Sequence, residues 1–169
     1  FHRILARLAG LFFLIPLIYF YLTKKIKKEY IQICFLILSL IIIQGIVGWY
    51  MVKSGLVHDV TVSHYRLSLH LVIAIIIIST IFWLYKNVHS KKNKIFFKFS
   101  KEYLLYQFLV LIIFFQIIIG AFVSGLDAGL IYQTWPQMGN SYFPDDVLIN
   151  NFYSFIDFEN HSLVQFYHR

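Results

Sequence analysis

Charge is what this sequence has least of. Only 14% of its residues are Asp, Glu, Lys or Arg, against roughly 25% in a soluble domain. Cysteine is almost missing: Cys34 alone excludes an intrachain disulfide and a cysteine-cluster metal site, and its place inside an apolar run reads as a small buried residue. There is no Walker motif, dinucleotide fingerprint, HExxH or CxxC, which removes most soluble cofactor classes. The chain also lacks an initiating methionine, and it stops at Tyr167, His168 and Arg169 as a new helix begins. We therefore expect an internal piece of a longer protein, one that would be inactive in isolation.

Apolar residues take the place of charge. They make up 59% of the chain, more than a soluble domain of this size normally carries. They fall in four runs, near residues 4–22, 30–52, 67–85 and 103–126. At about 1.5 Å per residue each is long enough for a hydrocarbon layer of roughly 30 Å. Runs such as Ile75 to Ile78 would favour strands in water, but lipid cannot satisfy an open sheet edge, so helices are predicted. Pro16 is expected to bend the first helix without ending it. The fold class predicted is an all-α transmembrane helical bundle.

The net charge of +7 is not a nucleic-acid footprint. Ten of the 15 Lys and Arg residues lie in two segments between apolar runs, Lys24 to Lys28 and Lys86 to Lys101. Juxtamembrane charge behaves this way, and the positive-inside rule puts both loops in the cytoplasm. Loops 53–63 and 127–160 then face the opposite, periplasmic side; the longer holds Asp127, Asp145, Asp146, Asp157 and Glu159. Its mixture of turn formers and aromatics suits either rest at the membrane interface or a lid over a site. An internal repeat is also visible. Gln44 to Gly48 is similar to Gln116 to Gly120, each followed by Ser-Gly-Leu, and His2-Arg3 matches His168-Arg169. Both pairs point to duplication.

Topology sorts the seven histidines. His89 falls in a basic loop, His58 and His64 at the outer edge, and His161 at the mouth of an incoming helix. His2, His70 and His168 lie at or within the outer ends of spanning helices. His70 is the sharpest case, because Leu71 to Ile75 beyond it offers no polar relief. An imidazole buried in an apolar layer needs a partner. A haem iron is a suitable one, since two neutral imidazoles can bind it axially from facing helices. His2 is the candidate opposite His70, both helices running inward from the outer face; His168 would draw its partner from elsewhere. Arg3, Arg7, Arg66 and Arg169 accompany these histidines, either as headgroup anchors or as partners for haem propionates. The residues alone leave an electron carrier, a haem-modifying enzyme, a transporter and a structural subunit all open.

Several spaced motifs narrow this. Gly48-Trp-Tyr-Met-Val-Lys-Ser-Gly-Leu56 followed by Val62-Ser-His-Tyr-Arg-Leu-Ser-Leu-His-Leu71 resembles the haem A synthase family. So do Gly120-Ala-Phe-Val-Ser-Gly-Leu-Asp-Ala-Gly129 with Tyr132-Gln-Thr-Trp-Pro-Gln-Met138, and Gln165-Phe-Tyr-His-Arg169. The resemblance implies a duplicated four-helix plus four-helix protein of the bacterial inner membrane. Residues 1–86 would belong to its N-terminal haem-binding bundle, 87–101 to a basic linker, and 102–169 to the start of its C-terminal bundle. It implies oxidation of the C8 methyl group of haem O to a formyl group, giving haem A for cytochrome c oxidase, with haem b as cofactor. His2 and His70 match one ligand pair, and His168 matches a ligand of the other site. The family's catalytic glutamate would precede Phe1. The cysteine pair that some members carry in an outer loop is absent. The farnesyltransferase that makes haem O and a second copy of the chain are the protein partners implied, with membrane lipid around them and the electron acceptor left open. The competing reading is a di-haem b-type electron-transfer subunit.

Overall fold

The computed structural model describes residues 1–55, 62–90, 101–148 and 150–169. Five α-helices follow one another: α1, His2–Leu22; α2, Lys28–Gly55; α3, His64–His89; α4, Leu104–Gly125; and α5, His161–His168. Short 3-10 turns occupy Lys101–Tyr103, Ala128–Leu130 and Phe152–Ile156. Among the described residues the one β-type pairing is an isolated bridge between Met138 and Ser141. This is the helical membrane architecture the apolar runs predict. Helices α1 to α4 are each long and apolar enough to cross a bilayer; the shortest, at 21 residues, spans about 31 Å. Their lipid-directed character shows in side chains such as Phe12, Ile78 and Leu105, which stay exposed along the helices. Water would penalise that surface, whereas acyl chains do not.

The chain packs as two compact units: Phe1–Tyr50 with Val72–Lys98, and Met51–Leu71 with Phe99–Arg169. In the first, Pro16 lies inside a continuous α1, and the next residue, Leu17, is buried beside it in sequence. Apolar sequence on both sides of the proline lets the helix resume, as expected. Thr23 closes α1 by donating its hydroxyl to the Tyr19 carbonyl at 2.8 Å, and Lys24 turns the chain with a φ of 53°. Ile37 of α2 is fully buried. Polar side chains on these helices bond within them where lipid offers no partner: Ser39 donates to the Phe35 carbonyl and Thr80 to that of Ile76, at 2.9 and 2.7 Å. The Tyr30 hydroxyl reaches the Asn87 carbonyl at 3.5 Å, tying the start of α2 to the end of α3.

In the second unit, α4 and α5 pack together with the turn at Ala128–Leu130. Ala121 and Phe122 of α4, Leu163 and Val164 of α5, and Ala128 and Met138 of the connecting segment form its apolar core. Asn160 caps α5 by accepting the Leu163 N–H at 3.0 Å, satisfying one of the orphan donors of the helix start. Loop 127–160 is thus folded against α5 rather than loosely strung between helices. His58, most of the 53–63 loop and Lys91, Lys92, Lys94 and Lys98 lie outside the described residues.

Candidate functional site

Within the second unit a crevice of about 510 Å³ opens between α3, α4 and α5. Its volume is that of an ordinary small-molecule site, for which the range is about 300–1,000 Å³. Helix α3 contributes Leu67, His70 and Leu71, and α5 contributes His168. From α4 come Gln116, Ile117, Gly120, Ala121 and Ser124, whose one-and-three spacing is that of a single helix face. The walls are mainly apolar, and two imidazoles enter from different helices. Among the described residues no three His, Cys, Asp or Glu side chains gather as a metal-ion cage would require. A porphyrin needs no such cage: it brings its own equatorial nitrogens and asks the protein only for axial ligands and a flat apolar slot.

His168 is held on two sides. On one, the Gln116 side-chain amide donates to the His168 carbonyl at 2.6 Å. The imidazole lies close against Gly120, where a Cβ would stand 2.9 Å from Nε2 and 3.3 Å from Cδ2. On the other side, loop 127–160 grips α5. Gln165, buried, accepts the Tyr132 N–H at 3.1 Å and donates to the Tyr132 and Gly129 carbonyls at 2.8 and 3.3 Å. Arg169 donates to the Tyr132 carbonyl at 2.7 Å and the Thr134 carbonyl at 2.8 Å.

The Asp146 carboxylate accepts hydroxyl protons from Tyr132 and Ser162, each at 2.6 Å. Partial burial pushes Asp146 toward its neutral form, but the bonds from Ser162 and Tyr132 outweigh it and leave the carboxyl below its ordinary pKa. The same bond to Asp146 raises the Tyr132 phenol. Asp145 is lowered mainly by the Asn140 N–H, at 2.8 Å, and then by the Ser141 hydroxyl, also at 2.8 Å.

A third histidine is enclosed at the start of α3. His64 is buried. Its ring lies 4.0 Å from that of Tyr65 and 5.2 Å from that of Phe122. Its Nε2 is 3.7 Å from a Glu159 carboxylate oxygen, beyond hydrogen-bond reach. Here α3 and α4 come into close contact: a Cβ on Gly125 would fall 2.7 Å from both Cα and Cβ of His64.

The predicted ligands therefore separate as follows. His70 and His168 share the crevice of the second unit. Arg66 is half-buried one turn before His70, and Arg169 is engaged by loop carbonyls. His2, Arg3 and Arg7 are exposed on α1, in the first unit. His161 opens α5, and His89 closes α3 with its ring 5.2 Å from that of Tyr85. Sequence reasoning did not assign roles to Gln116, Gly120, Gln165, Tyr132 or Asp146. Gln116 and Gly120 were visible as the ends of the second repeat segment, and Gly120, Tyr132 and Gln165 within the motifs that carry the family resemblance, but Asp146 carried no such signal.

The whole chain, residues 1–169, matches the family described as cytochrome oxidase assembly protein (COX15-CtaA). Relatives named heme A synthase include those of Pelagibacter ubique, 45% identical over 99% of this chain and 49% of the relative, and of the Wolbachia of Brugia malayi, 44% identical over 99% and 50%. That of Rickettsia bellii is 43% identical over the same shares, 99% and 50%. The chain thus spans about half the length of the curated relatives it matches. No solved structure matches it. With the match running from the first residue to the last, the chain belongs to the cytochrome oxidase assembly protein family.

Proposed function

We propose that the complete protein is a haem A synthase: it oxidises the C8 methyl group of haem O, its substrate, to a formyl group, giving haem A for cytochrome c oxidase. The observation that carries this reading is the match along the whole chain to the family and to relatives named heme A synthase. The mainly apolar crevice of the second unit supports a site built on histidines, since it brings together His70 and His168, a candidate ligand from each of the two proposed haem sites.

In this reading His2 and His70 would be the ligands of one haem, and His168 would be a ligand of the other. Arg3, Arg7, Arg66 and Arg169 pair with propionates, the guanidinium fork being matched to a carboxylate. Arg169 can serve both loop and haem, because its five N–H donors exceed the two strongest bonds it makes here. A resident haem b supplies redox-active iron when bound. The side chains would do the rest: apolar walls would exclude water, and the histidines and arginines would hold and orient the macrocycle. The farnesyltransferase that produces haem O is the natural donor of substrate, and a homo-oligomer is the assembly we expect. Basic loops 24–28 and 86–101 face the cytoplasm, and loops 53–63 and 127–160 face the periplasm.

The test is the haem content of the full-length protein purified from a host that makes haem O, with the extracted haems separated by chromatography. Haem b together with haem O or its oxidised products is expected; haem b alone, with haem O available, would make the protein an electron carrier. Replacing His70 with Ala should abolish haem A formation. Undiminished haem occupancy and product in that variant would remove His70 from the ligand set.

A further inference from the structure

We propose that His64 and Glu159 form a proton-operated latch: protonating the buried imidazole pairs it with the carboxylate and fastens the turn at 157–160, and with it the start of α5, onto α3 and α4. The latch involves none of the proposed haem ligands and does not depend on haem being bound.

One jaw is fixed. His64, the first residue of α3, is 4% exposed. Its backbone lies so close to α4 that a Cβ on Gly125 would fall 2.7 Å from its Cα and 3.3 Å from its N, so it has little room to shift. Its ring is held by Tyr65, at 4.0 Å, and by Phe122, edge-on at 5.2 Å. The buried Nε2 has no hydrogen-bond partner among the described residues, and an orphaned polar atom of this kind calls for a reason. The group it faces is Glu159, whose carboxylate oxygen is 3.7 Å away.

The other jaw can move. The Glu159 side chain is 68% exposed, but its backbone belongs to an ordered turn, in which the Glu159 N–H donates to the Asp157 carboxylate at 3.1 Å and the Asn160 N–H to the Asp157 carbonyl at 3.3 Å. Phe158 packs its ring 5.5 Å from that of Phe122, and Asn160 caps α5. A pull on Glu159 is therefore passed to the helix start. Of the other groups around the pair, Tyr65 faces both Glu159 and Asp157, and α4 presents the uncharged Phe122 and Gly125.

Imidazole is the side chain that ordinarily changes charge between pH 5 and 8, whereas carboxylates ordinarily stay ionised across that range. A neutral ring carries a proton on one nitrogen only; the cation donates from both and adds attraction. A separation of 3.7 Å is too long for a hydrogen bond, and closing it to the roughly 2.7–2.9 Å of a charge-assisted bond takes about 1 Å of carboxylate movement. Burial opposes the imidazolium and the carboxylate favours it. Because Glu159 stays in water, only the desolvation of the imidazole has to be offset. Pairing stabilises the protonated form, so the latch is closed in acid and opens as pH rises.

The experiment measures backbone amide protection of residues 158–164 in the full-length protein, relative to the intrinsic exchange rate at each pH, at pH 5.5 and pH 8. It compares the parent with Glu159→Gln, His64→Phe and His161→Gln. Protection in the parent should be about fivefold higher at pH 5.5, as for an ion pair with one exposed partner. Glu159→Gln should bring the pH 5.5 value down to the pH 8 value, and His64→Phe, which keeps a ring against Tyr65 and Phe122, should do the same. His161→Gln, at an exposed position of α5, should keep the difference. Equal protection at both pH values in the parent, or a difference that survives either Glu159→Gln or His64→Phe, overturns the latch. A difference lost in His161→Gln assigns the titration to that imidazole and overturns it too. If His64→Phe does not accumulate, Glu159→Gln and His161→Gln decide on the same criteria.

Discussion

Gly139 has a φ of +87°, and a side chain there would run into the Asp145 carboxylate. Both facts come from one tight turn, in which the Met138 N–H reaches the Ser141 carbonyl at 2.7 Å. Gly139→Ala should cost about 1–3 kcal/mol in left-handed strain alone, read as a lower melting temperature of the full-length protein. The carboxylates that close this turn also give it a pH limit. Asp145 and Asp146 are lowered from their ordinary values in the folded state, so the stability they contribute is fully present above about pH 4. It is lost as pH falls through their depressed values, when protonation removes the acceptors for Asn140, Ser141, Ser162 and Tyr132. Amide protection in the 138–146 segment, taken relative to the intrinsic exchange rate at each pH, should hold steady from pH 8 to pH 5 and fall only under stronger acid; a loss of protection already complete by pH 5 would mean these bonds do not order the loop. At this scale the sequence was partly legible. His70 could be singled out because Leu71-Val-Ile-Ala-Ile beyond it contains no polar side chain. Tyr132, Asp146 and Ser162 could not, because their meeting spans 14 and 16 residues of loop and follows from no periodicity.

Helices were the most legible elements, and their differences from expectation have a common cause. Apolar runs placed spans near 30–52 and 67–85, whereas α2 and α3 occupy Lys28–Gly55 and His64–His89. Backbone hydrogen bonding carries a helix past its apolar stretch into charged residues whose stems reach out of lipid. The repeat needs a sharper reading. His2 and His168 begin and end helices four apart in order, α1 and α5, as a four-plus-four duplication requires. The two Gln-to-Gly segments lie on α2 and α4, only two apart, and cannot be equivalents under the same duplication. Their environments differ accordingly, with Gly45 open and Gly120 against an imidazole. Gly125 is the glycine that sets the distance between helices. Since a Cβ there meets the backbone of His64 at 2.7 Å, Gly125→Ala must separate α3 from α4 and should cost about 1–3 kcal/mol, as overpacking does. Asn160→Ala removes the cap of α5 and should cost about 0.5–2 kcal/mol. Thermal unfolding in detergent would order these variants, and a Gly125→Ala protein as stable as the parent would refute the close approach.

For the molecule as a whole, lipid and charge together determine the arrangement. Four apolar helices expose side chains that only acyl chains tolerate, and the lysines that interrupt them are grouped at Lys24 to Lys28 and Lys86 to Lys101. Translocating either group is unfavourable, so in the topology we propose the membrane potential and anionic lipid hold both on the cytoplasmic side. An even number of crossings between them makes the two groups mutually consistent. In that proposed topology loop 127–160 lies outside, and the exposed rings of Trp135, Tyr142 and Tyr153 are of the amphipathic kind that suits a headgroup region. The single native thiol makes this arrangement measurable. In a Cys34→Ala background of the full-length protein with any other cysteines removed, Thr134→Cys should react with a membrane-impermeant maleimide applied from the periplasmic side. Lys27→Cys should react only after the inner membrane is opened. The reverse pattern would invert the topology and move the histidine-bearing helix ends to the cytoplasm. Labelling of both positions from one side would break the alternation on which the spans depend, since α1 and α3 would then no longer carry His2 and His70 inward from the same face.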